Sequence, residues 1–580
     1  AELALLRDQG PSLREVERAR NSIETALLSS IEKIGGDGLA DQLNHYNQYT
    51  GDPGYLARDL ERLRRVTPAD VQRAVRTYLR REARAVVTGL PGKPVINDPR
   101  VPPAPKGKRS AGAPASAGIN APEAWRAQQP KAGPAPQFTL PQGEAFTLAN
   151  GLTVIHHHKP GLPLVSSQLV VRSGSAANPP SLPGLAGFTA QMLEEGTATR
   201  SAPQIADDIA QLGAFLDTGS DADASSVSLL ALRSTFPQAL DILADIVQRP
   251  AFPSAEVERQ RASRIGNLIQ QRDEPEAVAA VAAAGALYGG RHAKGYGQLG
   301  TEPAIRSVTR DDLAAFWRRH YVPENAALVV SGDITRAELK ALVEASFAAW
   351  AGTDAPGGGP GEPAATPARL VVVDEPGAGQ TALRVTGIGV ARDNPDFPVL
   401  QVMNGAFGGM FTSRLNNNLR ETKGYSYGVF SQFRYDRTPG PFIIAGSVQQ
   451  NATGASVREV FRELGAIRDT LLPAPELAAA RDAQVLSLPG QFETNAEIGA
   501  SLAELFVYGL PADYYARLPA QLSAVTAAQV QAAARKYLLP EQMKVIAVGD
   551  QRRILPQLQT LGLGAAEVRD SDGQLPQRSP

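Results

Sequence analysis

Histidine and cysteine, the side chains that most often bind zinc, are scarce in this sequence. It contains six histidines and no cysteine, which excludes thiolate nucleophiles and cysteine-based metal sites. Three of the histidines are consecutive, His156 to His158, at the end of an apolar run that predicts a strand. Because neighbouring side chains on a strand point to opposite faces, three in a row cannot converge on one ion. We expect a solvated strand end there and no metal site.

The bulk composition favours a globular protein of several domains. The chain has 580 residues and a net charge of -1, which gives no support for nucleic-acid or anionic-membrane binding through bulk charge. Its most apolar stretch, 277–287, is too short and too rich in alanine to span a bilayer. The sequence begins without methionine or a leader-like segment, as expected if a preceding segment has been removed.

One sequence pattern occurs three times, in residues 66–89, 308–332 and 525–549. Each copy has a threonine suited to cap a helix, an amphipathic helix that ends near a tyrosine, and an apolar run that ends at a glycine. Three such endings predict three domains. The first copy has too little chain before it for a complete domain, so residues 1–95 are interpreted as the tail of a truncated one.

The segments between the repeats complete the predicted organisation. Proline-rich and glycine-rich stretches predict linkers, and strands precede helices in both complete units, which predicts an α+β fold of mostly antiparallel sheet packed under helices. The predicted segments are a truncated domain (1–95), a linker (96–140), a first complete domain (141–351), a second linker (352–368), a second complete domain (369–552) and a polar tail (553–580).

Two segments carry a resemblance to a known family. They are residues 183–197, PGLAGFTAQMLEEGT, and residues 407–427, which contain FGGMFTSRL and LRETKGYSY. On these segments the chain resembles the pitrilysin/insulinase family of zinc peptidases, the inverzincins. The resemblance implies paired α+β domains of the mitochondrial-processing-peptidase type, often four in one chain, which close around a chamber.

The first segment lacks the zinc chemistry that the resemblance would imply. Active family members carry His-x-x-Glu-His there, in which the two histidines bind zinc and the glutamate is the general base. The corresponding positions are Gly187, Ala190 and Gln191, and the third ligand position falls at Asn267. The resemblance therefore implies a degenerate zinc site, no metal in this chain, and zinc in a complementary half.

The second segment matches the family's substrate-side pair at Arg420 and Tyr427. The resemblance implies that these two side chains reach the scissile carbonyl, where a guanidinium and a phenol can stabilise an oxyanion. It also implies that the Gly408-Gly409 turn bends the chain sharply into the helix of Arg420. From spacing alone, Arg420 could equally be a surface helix arginine and Tyr427 a strand aromatic.

The sequence thus predicts the substrate-binding half of a zinc endopeptidase that acts on peptides or unfolded polypeptides and is inactive by itself. Its partners would be the substrate and a zinc-bearing half or subunit, with no nucleic acid and no membrane. A non-catalytic binding or structural subunit of a heterodimeric processing peptidase is the alternative, and an isolated inactive fragment is a third. The resemblance implies a bacterial envelope or periplasmic location for this chain, with the cytoplasm as the alternative.

Overall fold

The computed structural model describes residues 2–90, 138–352 and 363–575, together with positions 92, 125 and 128. The two predicted linkers, 96–140 and 352–368, lie largely outside these residues. The described residues form two compact units, one made of 12–67 and 140–575 and the other of 2–11 with the described part of 68–139.

The first sheet has six strands in the described residues, in the spatial order β1-β2-β6-β3-β5-β4. Only β2 and β6 are parallel neighbours; the remaining pairs are antiparallel. The strands are β1 (Glu144–Thr147), β2 (Thr153–His158), β3 (Leu164–Val171), β4 (Phe215–Ser220), β5 (Ser225–Leu232) and β6 (Ala326–Gly332). The helices of this domain are α6 (Leu185–Gln191), α7 (Ala202–Gln211), α8 (Phe236–Gln248), α9 (Ser254–Arg272), α10 (Pro275–Tyr288), α11 (Glu302–Ser307), α12 (Arg310–His320) and α13 (Arg336–Phe347).

The second sheet repeats the same core order, β12-β7-β11-β8-β10-β9 within the described residues. Its strands are β7 (Leu370–Asp374), β8 (Gln380–Ile388), β9 (Phe430–Phe433), β10 (Pro441–Gln449), β11 (Lys544–Gly549) and β12 (Ala566–Arg569). The helices are α14 (Phe397–Asn404), α15 (Arg414–Asn416), α16 (Thr453–Asp469), α17 (Ala474–Ser487), α18 (Asn495–Tyr508), α19 (Tyr514–Ser523), α20 (Ala527–Tyr537) and α21 (Gln551–Gln559), with π-helical turns at Gly405–Gly409 and Asn417–Thr422. The predicted α+β class is confirmed.

One helix of each domain packs on the sheet of the other domain. Helix α10 packs on β7, β8 and β11, and helix α18 packs on β3 and β6. The alanines of α10, such as Ala279 and Ala282, are buried against Val371 and Ile546; small side chains let a helix approach a sheet closely. This exchange covers the second face of each sheet, which explains why the central strands are continuous apolar runs rather than alternating ones.

The N-terminal region departs from the predicted truncated domain at 1–95. Its helices are α1 (Glu2–Asp8), α2 (Leu13–Ser30), α3 (Leu39–Thr50), α4 (Leu56–Arg64) and α5 (Pro68–Tyr78). Helices α2 to α4 belong to the large unit, because Leu28 and Ile31 pack on Leu164 and Leu232 of the first sheet. Helix α1 instead packs with α5 in the small unit.

Two further expectations for the chain ends are corrected. Residues 84–90, predicted to contain a strand, have no strand partner within the described residues and are exposed, and a strand without a neighbour leaves its backbone groups unpaired. The predicted polar tail from residue 553 contains most of α21 and then β12, which pairs in parallel with β7. Since β12 is an edge strand, its sequence AEVR lacks the apolar run that marks a central strand.

No helix among the described residues combines the length and hydropathy that crossing a membrane requires.

Candidate functional site

The degenerate zinc-site positions lie on the short helix α6. Gly184 precedes this helix with φ of +89°, and a Cβ there would come within 2.7 Å of the Leu299 carbonyl oxygen. A sharp left-handed start of this kind requires glycine. Leu185 and Phe188 are buried in the domain core, so α6 is held firmly with Gly187 and Gln191 directed toward helix α9.

Polar side chains of α6, of the 3₁₀ turn Met192–Glu195 that follows it and of α9 form a continuous hydrogen-bond network. Gln191 Nε2 donates to Gln260 Oε1 at 2.5 Å, and Arg264 Nη1 donates to Gln191 Oε1 at 3.1 Å. Gln260 in turn donates to Glu195, which also accepts from Arg259. Side chains that would otherwise be costly to bury are thereby paired, and they link the two helices.

The guanidinium of Arg264 occupies the space beside the first ligand position. A Cβ at Gly187 would lie 3.4 Å from Arg264 Nη2, and the same nitrogen donates to the carbonyl oxygens of Gln298 at 3.2 Å and Leu299 at 3.3 Å. Arg264 is 5% exposed, and burial lowers the pKa of its guanidinium to about 10. It therefore stays protonated at neutral pH, and a fixed cation repels a metal ion.

Zinc does not fit the residues present. Glycine and alanine at 187 and 190 provide no ligand atom, the amide of Gln191 is engaged by two neighbours, and a cation lies beside them. In the part of the chain that the structure describes, no group of three or more histidine, cysteine, aspartate or glutamate side chains could hold a metal ion.

The assignment of Asn267 as the third ligand position stays a prediction. Asn267 lies on α9 but is exposed, whereas Gln260 and Arg264, one turn apart on the same helix, contact Gln191. Sequence reasoning missed Gln260 and Arg264, although their i, i+4 spacing places both on one helix face.

Arg420 lies in the π-helical turn Asn417–Thr422, where its side chain is 36% exposed. Its Nε is 3.2 Å from Glu421 Oε1, and its guanidinium carbon is 4.4 Å from the ring centre of Phe411. Arg420 thus makes a cation–π contact with Phe411 and a solvent-exposed ion pair with Glu421. Because such exposed pairs contribute about 0–1 kcal/mol, Arg420 can exchange Glu421 for another acceptor at little cost.

Tyr427 lies in a loop. The alternative interpretation, which made it a strand aromatic, is therefore wrong about the element. The loop is tied down by Ser426, whose hydroxyl donates to the carbonyl oxygen of Ser447 at 2.7 Å. Tyr427 itself is 87% exposed, which is unusual for a ring that normally buries most of its area. Gly408 and Gly409 are needed for close packing rather than for positive φ, since a Cβ would come within 2.3 Å of Ser431 Oγ and 2.6 Å of Asn404 Nδ2 respectively.

Tyr427 lines a cleft of about 770 Å³ between helix α10 and the strands β8 to β10. Arg384 and Glu276 also line the cleft, and Glu276 Oε1 accepts a hydrogen bond from Ser447 Oγ at 2.9 Å. Burial lowers the pKa of Arg384. Arg420 is not part of this lining, so the two predicted substrate-side residues lie on the same domain but only Tyr427 borders the cleft. No sequence pattern pointed to Arg384 and Glu276, which come together through the helix exchange.

Family models match segments of both complete domains. Residues 153–293 match the model described as insulinase (peptidase family M16), and residues 307–484 match the model of the peptidase M16 inactive domain. This chain belongs to the insulinase family of peptidases. The relatives include proteins named uncharacterized zinc protease in Bacillus subtilis (24% identity over 353 residues, 60% of this chain and 84% of the relative) and in Mycobacterium tuberculosis strain H37Rv (29% over 306 residues, 52% and 69%).

Solved structures agree on the fold of this insulinase-family chain. A peptidase M16 inactive domain from Pseudomonas fluorescens matches with a TM-score of 0.65 at 26% identity, covering 70% of this chain and 98% of its own. A protease from Helicobacter pylori matches in fold with a TM-score of 0.66 at 17% identity, covering 71% and 100%. The expected membership of a zinc-peptidase family is confirmed.

Proposed function

We propose that this chain is the substrate-binding half of a zinc endopeptidase that acts on peptides or unfolded polypeptides. The zinc, its ligands and the general base belong to a complementary half of the same family. Two features together carry the proposal: the Arg264 guanidinium lies beside a ligand position that has no ligand atom, and the substrate-side phenol of Tyr427 is 87% exposed at the edge of a cleft.

The role of this chain's residues follows from their donors. The Tyr427 hydroxyl and the Arg420 guanidinium would each donate a hydrogen bond to the carbonyl oxygen of the scissile peptide as negative charge develops on it. Donors of this kind act mainly on the transition state, so they raise kcat more than they tighten substrate binding. In this structure Arg420 Nε pairs with the carboxylate of Glu421. A substrate carbonyl oxygen would replace that carboxylate as the acceptor.

A reconstituted enzyme tests this role. The full chain is mixed with a family polypeptide that carries His-x-x-Glu-His, and cleavage of an internally quenched fluorescent peptide is followed. Tyr427→Phe should lower kcat/KM by about 10²–10³-fold, or ~3–4 kcal/mol, mostly in kcat. Arg420→Lys keeps the charge, loses the planar fork, and should also be strongly impaired.

Tyr425→Phe is the matched control, because it removes the same hydroxyl two residues away in the same loop. The ring of Tyr427 is exposed, so Tyr427→Phe should leave the thermal midpoint unchanged. If the two phenylalanine variants lose activity equally, with stability intact in both, the substrate-side role fails. The second candidate, a non-catalytic binding or structural subunit, would then apply, since the lack of zinc ligands beside Arg264 supports it equally well.

A further inference from the structure

The second sheet carries an arginine on the face that helix α10 covers. Arg384 of β8 pairs in register with Ala445 of β10 and Ile546 of β11. Ala382, two positions earlier and therefore on the same face of the strand, is buried among the alanines of α10. Arg384 is half-buried, and burial lowers the pKa of its guanidinium. A charged side chain at such a position lowers stability, so it is a candidate for a functional role.

Arg384 has few partners for the donors that its guanidinium carries. A guanidinium has N–H donors on all three of its nitrogens. Within the described residues, the one hydrogen bond of this side chain runs from Nη2 to the backbone carbonyl oxygen of Glu276, at 3.4 Å, which is long for such a bond. No carboxylate of the described residues forms an ion pair with it. The other donors are left to the cavities that Arg384 lines.

Two cavities meet at Arg384. One is the cleft of about 770 Å³ that Tyr427 borders, and the other is a smaller cavity of about 240 Å³. Arg384 and Ile443 line both of them. The walls of the smaller cavity are largely apolar and include Ala280 and Leu287. A side chain of a peptide in the Tyr427 cleft could therefore place an apolar stem against these walls and a polar end at Arg384.

The charges around the two cavities leave Arg384 without a counter-charge of its own. The charged lining residues are three cations, Lys294, Arg384 and Arg434, and two carboxylates, Glu276 and Asp436. Asp436 lies 2.8 Å from Lys294 and 3.7 Å from Arg434. Glu276 is exposed and accepts a hydrogen bond from a serine of β10; it attracts the charge of Arg384 without forming an ion pair with it. A half-buried guanidinium of this kind attracts an anion.

We propose that Arg384 forms a subsite of the Tyr427 cleft that binds a carboxylate of the peptide substrate. A carboxylate accepts two parallel hydrogen bonds from a guanidinium, which supplies both affinity and orientation. The carboxylate comes from an acidic side chain or from the C-terminus of the peptide, and the cleft therefore favours such peptides over neutral ones. This inference rests on the proposed function, since the occupant is the substrate.

Peptide binding to the full chain, without the zinc-bearing half, tests the subsite apart from catalysis. Fluorescence anisotropy compares three labelled peptides of otherwise neutral sequence. The first has a central glutamate and an amidated C-terminus, the second has glutamine in its place, and the third has glutamine and a free C-terminal carboxylate. One of the two charged peptides should bind about 10–100-fold more tightly than the neutral one, as expected for hydrogen bonds between charged groups. The tighter of the two identifies the source of the carboxylate. Equal affinity for all three, or binding of none, overturns the proposal.

Arg384→Met should abolish this preference, so that the charged peptides bind as weakly as the neutral one. Because Arg384 is desolvated and makes one long hydrogen bond, the variant should keep or raise the thermal midpoint. A lower midpoint together with loss of the preference would indicate a structural arginine and overturn the proposal. Arg517→Met is the matched control, because it removes the same charge from an exposed pair with Asp513 in the same domain and should keep the preference. Equal loss in both variants would mean that net charge attracts the peptide, and would also overturn the subsite.

The outcomes separate this subsite from the proposed function. A preference for charged peptides that Arg384→Met removes, together with a fully active Tyr427→Phe variant in the reconstituted enzyme, would support the subsite and count against the oxyanion role. Impaired cleavage by Tyr427→Phe without any preference among the three peptides would overturn the subsite and leave the proposed function standing.

Discussion

Replacing Arg264 by methionine tests whether its guanidinium links helices α6 and α9 where other family members hold zinc. Burial lowers the pKa of Arg264 from its usual value to about 10, which corresponds to about 3 kcal/mol of unfavourable desolvation. Methionine removes that cost. It also leaves Gln191 Oε1 and the carbonyl oxygens of Gln298 and Leu299 without this donor.

The lost hydrogen bonds should outweigh the relieved desolvation. A buried acceptor left unpaired costs about 1–3 kcal/mol. Gln298 is exposed and Gln191 and Leu299 are half-buried, so the three together should cost about 5 kcal/mol, in the lower half of that range. Subtracting the desolvation of about 3 kcal/mol predicts that Arg264→Met lowers the free energy of unfolding of the first domain by about 2 kcal/mol.

Tryptophan fluorescence during urea unfolding measures this domain selectively. The chain has three tryptophans: Trp317 and Trp350 pack in the core of the first domain, and Trp125 is 67% exposed. Arg306→Met is the control, because Arg306 makes an exposed pair with Glu302 and should change stability by less than about 1 kcal/mol. If Arg264→Met is as stable as the unmodified chain or more stable, the guanidinium is not the link between the helices.

Three further predictions concern metal binding, acid stability and a buried ion pair. The chain, dialysed against a weak chelator, should hold less than stoichiometric zinc by elemental analysis; one tightly bound zinc per chain would contradict the assignment of positions 187, 190 and 191. Burial lowers the pKa of His320 from 6.5 to about 4, so the unfolded chain binds more protons between these values and stability falls as pH decreases through them. His320→Gln should remove about 2–3 kcal/mol of this loss between pH 7.5 and 4.5 in urea unfolding, and an unchanged pH dependence would refute it. Lys294 and Asp436 form a buried ion pair at 2.8 Å. Lys294→Met should lower the free energy of unfolding by about 3 kcal/mol, because it leaves the Asp436 carboxylate buried without its closest ion-pair partner. Thermal unfolding should show that adding Asp436→Asn restores part of this lost stability.

Much of the fold could be predicted because its signals are local. The capping box of Thr309 with Asp312 and that of Thr526 with Gln529 are present as the repeated pattern indicates. The apolar runs that follow become the central strands β6 and β11. The same local reasoning failed for 84–90, because a strand also requires neighbours that the pattern itself does not supply. It failed again beyond residue 553, where an edge strand carries too weak a pattern.

For the candidate site, too, local residue type could be predicted from the sequence and non-local packing could not. The sequence by itself determined that positions 187, 190 and 191 cannot form the family's zinc site, because the side chains of glycine and alanine have no ligand atom in any fold. Only the tertiary structure decided what takes that place, since Arg264 reaches Gln191 from 73 residues away through the packing of α9 on α6. It also decided that Tyr427 is exposed beside a cleft, which depends on helix α10 crossing to the second sheet. Residue type is a local property, whereas burial and contact depend on distant segments of the chain.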